Sequence, residues 1–154
     1  MTSTRPEPQL TDETITRFLG GLWKLNRRLK QGVEPRLAQQ QIDLRRYFML
    51  VTIRKGTVYP KELSEQLGIP STLLSRYIDG LVQLGYIERN IDVQDSRRTV
   101  LSLTEAGLDA VTRATQSIRE HTSQRLKELD PKQLPALLDA LDILGAAGLE
   151  QENR

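Results

Sequence analysis

Apolar residues recur every three or four positions along most of the chain, which is the period of an amphipathic α-helix. The first stretch of this kind follows Thr11, a residue that suits a helix N-cap. Its apolar stripe consists of Ile15, Phe18, Leu19, Leu22, Trp23 and Leu29. A second helix is predicted over residues 42–53 and ends before Gly56, and residues 56–59 are predicted to form a short extended segment at a sheet edge.

Two short helices joined by a tight turn are predicted in the middle of the chain. Pro60 suits the first position of one helix, and Gly68 suits its end. A second apolar stripe begins near Ser71 and ends at Gly85. Two short helices around a three- or four-residue turn indicate a helix-turn-helix, although this spacing alone is a weak guide to function.

Alternation of apolar and polar residues follows this pair of helices and predicts a β-hairpin. The two strands are expected at residues 86–89 and 99–103, and the polar stretch 90–98 connects them. We therefore expect the charged tip of this hairpin to form a wing beside the helix-turn-helix.

The C-terminal third of the chain returns to the helical period. Thr104 is expected to cap a long helix whose apolar positions continue at three- and four-residue steps to Leu129. Residues 130–133 have the sequence of a capping box, with Pro131 at the first position of a last helix. Pro135 lies just inside that helix, so we expect it to kink or tighten the first turn.

Composition narrows the class of protein further. The 154 residues match one domain, or one small domain with helical extensions. No apolar run approaches the roughly 20 residues of a membrane helix, and residues 1–9 are polar, unlike a signal peptide, so the protein is expected in the cytoplasm. The chain has no cysteine and one histidine, His121, which excludes a disulfide, a cysteine-based zinc site and a thiol redox switch. No metal or cofactor is expected, and His121 is expected on the surface of its helix.

The charge is unevenly distributed, although the net charge is only +2. Ten basic and two acidic residues lie between Lys24 and Lys61, whereas residues 101–154 hold nine acidic and six basic residues. Such a distribution could present one basic face to phosphate, but solvated helix faces produce similar runs. The candidates for phosphate contact in this part of the chain are Lys61, Arg45, Arg46, Arg54 and Lys55.

Five short motifs follow one another in the middle of the chain. They are LSEQLG at 63–68, SRYID at 75–79, LGYIER at 84–89, DVQDSRR at 92–98 and LSLTEAG at 101–107. With these motifs the segment 42–110 resembles the winged helix of the MarR (multiple antibiotic resistance regulator) family, including its D-x-x-D-x-R wing and its L-x-L-T-x-x-G close. The combination is much more specific than helix-turn-helix spacing.

The resemblance implies a mainly α fold with a small β-hairpin, a winged helix-turn-helix with dimerisation helices from both termini. Residues 1–38 would form the N-terminal dimerisation helix, 39–104 the winged-helix DNA-binding domain and 105–154 the C-terminal dimerisation helices. The implied function is that of a sequence-specific transcriptional regulator, more commonly a repressor. It would bind double-stranded DNA at an inverted-repeat operator as a homodimer, and a small aromatic or anionic ligand would release it.

The second helix of the helix-turn-helix carries the residues that we expect to face DNA. Its apolar stripe leaves other faces exposed, on which lie Ser71, Thr72, Ser75 and Arg76. A helix N-terminus with short hydroxyl side chains suits phosphate and base-edge contacts in the major groove. Arg76 is predicted to bind guanine or a phosphate, and an intrahelical ion pair with Asp79 is the alternative.

Two arginines, Arg97 and Arg98, lie at the predicted wing tip, and both are predicted, with Asp95, to belong to the DNA-binding residues. The resemblance implies that Arg97 enters the minor groove and that Asp95 organises it, because narrow minor grooves attract guanidinium groups. The alternative is an exposed hairpin whose arginines are neutralised by Asp92 and Asp95.

The apolar stripes of the first and the last two helices exceed what a small winged-helix core requires. This surplus predicts a homodimer, with a monomer that covers its own core as the alternative. Trp23 and Tyr47 are candidates to line an effector pocket, although Trp23 could instead belong to the core. The lack of cysteine argues against the peroxide-sensing branch of the family.

No enzyme is expected, because the chain has no glycine-rich phosphate loop, no nucleophile elbow and no catalytic set that contains histidine. The alternative function is that of a winged-helix protein-interaction module without DNA binding. Salt-dependent binding of duplex DNA would distinguish the two.

Overall fold

The computed structural model describes residues 10–146, which form six α-helices and one antiparallel pair of strands. The elements in chain order are α1 (Asp12–Ala38), α2 (Leu44–Arg54), α3 (Pro60–Leu67), α4 (Ser71–Gln83), β1 (Ile87–Ile91), β2 (Thr99–Leu103), α5 (Glu105–Leu126) and α6 (Gln133–Ala146). This architecture confirms the predicted fold class, a mainly α winged helix with a small hairpin. Residues 1–9 and 147–154 of the predicted terminal segments lie outside the described residues.

Three helices begin at residues whose side chains accept a hydrogen bond from the first turn. The hydroxyl oxygen of Thr11 accepts from the amide of Thr14 at 3.2 Å, and that of Thr104 accepts from Gly107 at 3.0 Å, as predicted for both caps. Asp43 caps α2 in the same way, through Arg46 at 2.8 Å. Because Asp43 is the cap, α2 begins at Leu44, two residues later than predicted.

One hydrophobic core joins α1–α5 and the hairpin. Its largest fully buried side chains are Leu37, Met49, Leu50, Leu63, Leu74, Leu81, Ile87, Leu101 and Val111. Leu37 belongs to α1 and Val111 to α5, so this core extends across both of the predicted domain boundaries. The predicted division of the chain at residues 38 and 104 therefore does not coincide with separate cores. It stays a prediction about which segments dimerise and which bind DNA.

The hairpin differs from the prediction at two places. β1 continues to Ile91, two residues beyond the expected end, and pairs there with Thr99. The segment 56–59 does not form a strand; its carbonyl at Val58 accepts one hydrogen bond from the amide of Leu101 at 2.8 Å. Gly56, with a φ of 106°, turns the chain immediately before this contact.

The last helix begins two residues later than predicted. The predicted capping contacts are present, because Gln133 accepts from the amide of Asp130 at 2.8 Å and Asp130 accepts from Lys132 at 2.9 Å. However, α6 starts at Gln133, which makes Pro135 its third residue. The first four amides of a helix have no partner within it, so Pro135 removes no helical hydrogen bond. The chain before it forms a tight turn, in which the amide of Gln133 donates to the carbonyl of Asp130 at 2.8 Å.

A large apolar surface remains uncovered on α1 and α6. On α1 the exposed side chains are Ile15, Phe18, Leu19, Leu22, Trp23 and Leu25. On α6 they are Leu137, Leu138, Leu141, Ile143 and Leu144, and the helix buries none of its residues. Trp23 is 62% exposed, so the interpretation of this residue as core is wrong for the single chain. Between residues 10 and 146 no helix combines the length and apolar character needed to cross a membrane.

The start of α5 lies directly against the backbone at the base of the hairpin, just before β1. Gly107 is buried, and a Cβ at this position would overlap the carbonyl group of Tyr86. That carbonyl accepts a hydrogen bond from the amide of Thr104 at 3.0 Å, so it cannot move away freely. The glycine of the LSLTEAG motif therefore allows α5 to approach the hairpin.

We predict that Gly107→Ala destabilises the protein by roughly 1–3 kcal/mol, because the added methyl group must displace backbone atoms. The exposed neighbour provides the control, since Ala106→Ser adds an atom where there is room. Chemical denaturation at one protein concentration measures both. Equal stability of the two variants would show that the contact with Tyr86 is not tight.

His121 is half-buried between α1 and α5, which corrects the expectation of a surface residue. Its ring lies where a Cβ of Gly32 would be, and its Nε2 atom is buried without a hydrogen-bond partner among the described residues. Burial lowers the pKa of His121, and the charges of Arg36 on α1 and Arg125 on α5 lower it further. Glu120 lines the same cleft but does not reverse the shift.

We predict that stability falls as the pH decreases from about 6.5, the ordinary histidine pKa, towards 5. The lowered pKa means that the unfolded chain binds this proton more readily than the folded one, so acid favours unfolding. Because His121 is the only histidine of the chain, His121→Gln should flatten the profile between these pH values. An unchanged slope in urea denaturation series of the variant would contradict the assignment.

Candidate nucleic-acid interface

The turn between α3 and α4 is held by a reciprocal pair of hydrogen bonds. The hydroxyl of Ser64 donates to the carbonyl of Ile69 at 2.6 Å, and the amide of Ile69 donates to the carbonyl of Ser64 at 3.1 Å. Gly68 ends α3 in the left-handed conformation, with a φ of 61°. These contacts set the direction in which α4 leaves the turn.

One face of α4 is buried and the opposite side is exposed. Leu74, Ile78 and Leu81 point into the core, at the spacing predicted from the sequence. The predicted DNA-facing residues are all exposed, namely Ser71, Thr72, Ser75 and Arg76. The structure thus brings these four together on one end of α4, and Lys61 is exposed on the first turn of α3.

The two helices of the helix-turn-helix, α3 and α4, begin differently from α1, α2 and α5. Pro70 and Tyr59, the N-cap residues of α4 and α3, make no side-chain hydrogen bond to the first turn. The amides at these two helix ends are therefore not occupied by a capping side chain. Uncapped amides and the positive end of the helix dipole together suit the binding of phosphate.

Arg76 does not form the ion pair with Asp79 that was the alternative to DNA contact. Asp79 instead accepts from Arg89 of β1, with 2.5 Å between Nη2 and Oδ1. Within residues 10–146 Arg76 makes no ion pair. Its guanidinium group is therefore available at the exposed surface of α4.

Asp95 organises the backbone of the wing. Its carboxylate accepts a hydrogen bond from the amide of Arg97 at 3.1 Å, and its carbonyl accepts from the amide of Arg98 at 2.9 Å. Neither contact involves a guanidinium group, so Asp95 fixes the turn that carries Arg97 and does not neutralise it. Arg97 itself is exposed and has no ion pair among the described residues.

Arg98 points back towards α3 instead of away from the wing tip. Its guanidinium carbon lies 3.5 Å from the ring centroid of Tyr59, and its Nη2 atom lies 3.4 Å from a carboxylate oxygen of Glu62. The hydroxyl of Tyr59 donates to Asp92 at 2.5 Å. The structure therefore separates the two arginines that the sequence placed together at the tip.

Two further arginines connect α2 to α4. Arg45 donates to the hydroxyl of Tyr77 at 3.1 Å, and the guanidinium carbon of Arg46 lies 5.1 Å from the centre of the same ring. Arg46 also pairs with Asp43 at 2.9 Å. These contacts give both arginines a structural role that was not expected, since the sequence made them candidates for phosphate contact.

A cleft of about 540 Å³ lies between α1, α2 and α5. Its apolar lining includes Leu29, Val33, Tyr47, Phe48 and Ile118, and its charged groups are Lys30, Glu34, Asp43 and Arg45. Tyr47 lines this cleft, whereas Trp23 lines an adjacent cleft that shares Asn26, Lys30 and Glu34 with the first. The binding of an effector by either residue stays a prediction. No three histidine, aspartate or glutamate side chains in the described part of the chain are placed to hold a metal ion.

Known proteins share both the domain and the fold. Residues 46–121 match the family described as winged helix DNA-binding domain. A mutant of MarR from E. coli, solved in complex with operator DNA, has a TM-score of 0.73 and 24% identity and aligns over 89% of this chain and 99% of its own. For the transcriptional repressor CouR bound to a 23-mer DNA duplex, the TM-score is 0.76 and the identity 23%, over 90% and 99% of the two chains. This chain has the winged helix fold of these MarR-type structures.

Curated relatives agree with this assignment. The HTH-type transcriptional regulator PrsX of Escherichia coli is 28% identical over 129 residues, which cover 75% of this chain and 78% of PrsX. An uncharacterised HTH-type transcriptional regulator of Mycobacterium leprae is 24% identical over 118 residues, or 76% and 82% of the two chains. The resemblance predicted from the five motifs is confirmed.

The winged helix contains interactions that could not be predicted from the sequence. Tyr59 and Tyr77 were not candidates, yet each binds an arginine from a different element. A signal for Tyr59 was present, because an aromatic residue replaces the usual Ser, Thr, Asp or Asn at the N-cap position before Pro60. Nothing in the local sequence identifies its partners in the wing, which lie more than thirty positions away.

Proposed function

We propose that this MarR-type protein is a transcriptional repressor that binds an inverted-repeat operator as a homodimer. Each protomer places α4 in the major groove and Arg97 of its wing in the adjacent minor groove. The observation that carries this proposal is the group of exposed polar side chains on α4 and the wing. Within this group Arg76 and Arg97 are held by ordered backbone and make no ion pair within residues 10–146. Such a regulator acts on DNA in the cytoplasm.

The first turn of α4 has the chemistry of a major-groove reader. Three hydroxyl side chains and one guanidinium group share its exposed end, and no capping side chain competes for its amides. A major groove about 12 Å wide admits one helix, and arginine there binds the O6 and N7 atoms of guanine. We assign base contact to Arg76 and phosphate contact to the helix end, Ser71, Thr72, Ser75 and Lys61.

The second copy is needed to cover the apolar faces of α1 and α6. Burying one leucine-sized side chain contributes about 1.5–3 kcal/mol. Several such residues are exposed on each face, which is enough to offset the roughly 4–15 kcal/mol that association costs. A twofold dimer places two copies of α4 about 34 Å apart, one duplex turn, and therefore requires an inverted repeat.

Repression and release complete the proposal. CouR, which shares the fold, is a transcriptional repressor. The cleft beside Tyr47 has the volume of a small-molecule site and combines apolar walls with four charged groups. Glu34 pairs with Lys30 and Asp43 with Arg46, whereas Arg45 makes no ion pair within residues 10–146. Because Arg45 also donates to Tyr77 of α4, an aromatic anion that binds Arg45 would withdraw a support from the DNA-reading helix.

Selection of bound sequences from random duplex DNA tests the function. We expect an inverted repeat with half-site centres about 10–10.5 base pairs apart. On the selected duplex, Arg76→Ala should cost about 1–3 kcal/mol and relax the preference at one position per half-site. Arg97→Ala should weaken binding at every salt concentration.

Arg113→Ala is the matched control, because it removes the same charge from an exposed pair with Asp109 on α5. Its affinity should equal that of the unmodified protein. If the selection enriches no sequence, or if duplex DNA binds with no dependence on salt, the protein is an interaction module and the proposal is wrong.

The effector is tested with benzoate, a simple aromatic carboxylate. Millimolar benzoate should release the unmodified protein from the selected duplex and should have a smaller effect on Arg45→Gln. Fluorescence anisotropy of a labelled duplex measures both. Equal release of both proteins would exclude Arg45 as the anion contact.

A further inference from the structure

The N-cap position of α3 is occupied by a residue that does not cap. Thr11, Asp43 and Thr104 each accept a hydrogen bond from the first turn of their helices, whereas Tyr59 makes no such bond. Substituting a good cap by a residue that cannot accept costs a helix about 1 kcal/mol. A local rule that is broken in this way indicates that the side chain serves another part of the structure.

The side chain of Tyr59 binds both ends of the wing connection. Its hydroxyl donates to Asp92, directly after β1, at 2.5 Å. Its ring supports the guanidinium of Arg98, directly before β2, at 3.5 Å, and Glu62 of α3 lies 3.4 Å from the same group. We call these four residues, Tyr59, Glu62, Asp92 and Arg98, the Tyr59 cluster.

The cluster continues into the backbone of the wing. The amide of Asp92 donates to the carbonyl of Arg98 at 3.0 Å, and the carboxylate of Asp92 accepts from the amide of Gln94 at 2.7 Å. The hydrogen bond from Tyr59 is the main cause that lowers the pKa of Asp92, and the same bond raises the pKa of the phenol. Asp92 therefore stays ionised and Tyr59 protonated at neutral pH, so the bond is maintained there.

We propose that Tyr59 is the positioning residue of the wing, and that Arg98 acts through Tyr59 and not through DNA. The cluster attaches the wing to the first turn of α3 and so sets the position of Arg97 relative to α4. Arg97 alone then enters the groove. The consequence for DNA rests on the proposed function, whereas the consequence for wing order does not.

The first test measures the order of the wing without DNA. In ¹⁵N relaxation experiments on the full chain, Tyr59→Phe should lower the heteronuclear NOE of the amides at residues 93–98, because the bond to Asp92 is lost. Tyr86→Phe is the control, since it also removes one phenol hydrogen bond, to the carbonyl of Gln40 at 3.0 Å, away from the wing tip. Tyr59→Leu, which also removes the ring, should lower the values further.

The second test measures groove recognition with two duplexes of equal length, one an A-tract and one composed of G·C pairs. The narrow minor groove of the A-tract should favour the unmodified protein, and Arg97→Ala should abolish this preference. Tyr59→Phe should reduce the preference by roughly fivefold, the equivalent of one hydrogen bond. Arg98→Lys should behave like Tyr59→Phe, because lysine keeps the charge but has no planar group to stack on the ring.

The outcomes separate the two proposals. Unchanged relaxation of residues 93–98 in both Tyr59 variants would overturn the role of the cluster. Full A-tract preference in Arg98→Lys, with loss in Arg98→Gln, would show that Arg98 acts directly through its charge and would also overturn it. If the unmodified protein has no A-tract preference while Tyr59→Phe still loosens the wing, the minor-groove part of the proposed function fails and the positioning role stands.

Discussion

Helix α6 has apolar side chains and buries none of them against the rest of residues 10–146. Its 14 residues include a series of leucines, and none of its residues is buried. The N-terminal part of α1 presents the same problem, with Phe18, Leu22 and Trp23 in water. In contrast, the core between Val33 and Ala114 is closed and contains the most buried side chains. The apolar side chains at the centre of the molecule are therefore buried, whereas those at its two ends are exposed, and we propose a second copy of the chain to cover them because large exposed apolar patches favour association.

The buried core between Val33 and Ala114 supports the surface that we assign to DNA. α4 is fixed by the turn at Ser64, by its buried stripe and by the two arginines of α2. The wing is fixed at its base by the contact of Val58 with Leu101 and further out by the Tyr59 cluster. Arg76 and Arg97 remain as exposed cations on ordered supports. Pre-organised cations lose less entropy on binding than mobile ones, so such supports favour affinity as well as geometry.

Features that depend on neighbouring residues could be predicted from the sequence. The caps at Thr11 and Thr104, the end of α3 at Gly68 and the strand β2 all follow from local chemistry, and the structure has them at the predicted positions. Small errors arose at the exact ends of helices. At the start of α6, for example, the sequence placed Pro131 at the first position, whereas in the structure the helix begins at Gln133.

Contacts between distant residues could not be predicted. The sequence placed Arg98 beside Arg97 at the wing tip and allowed Arg76 to pair with Asp79, because both interpretations use nearby positions. In the structure Arg98 binds Tyr59 and Asp79 binds Arg89, partners supplied by the packing of α3 and α4 against the hairpin. The two residues that the sequence assigned to one pocket line two clefts: Tyr47 lines the cleft between α1, α2 and α5, and Trp23 lines the adjacent one.

The mass of the protein in solution tests the central claim most directly, since two grooves can be read together only by two chains. Sedimentation equilibrium at micromolar concentration should give twice the 17.5 kDa of one chain, and substitution of Leu141 by Glu on the exposed face of α6 should lower that mass. A mass of 17.5 kDa for the unmodified protein over the whole concentration range would contradict the account.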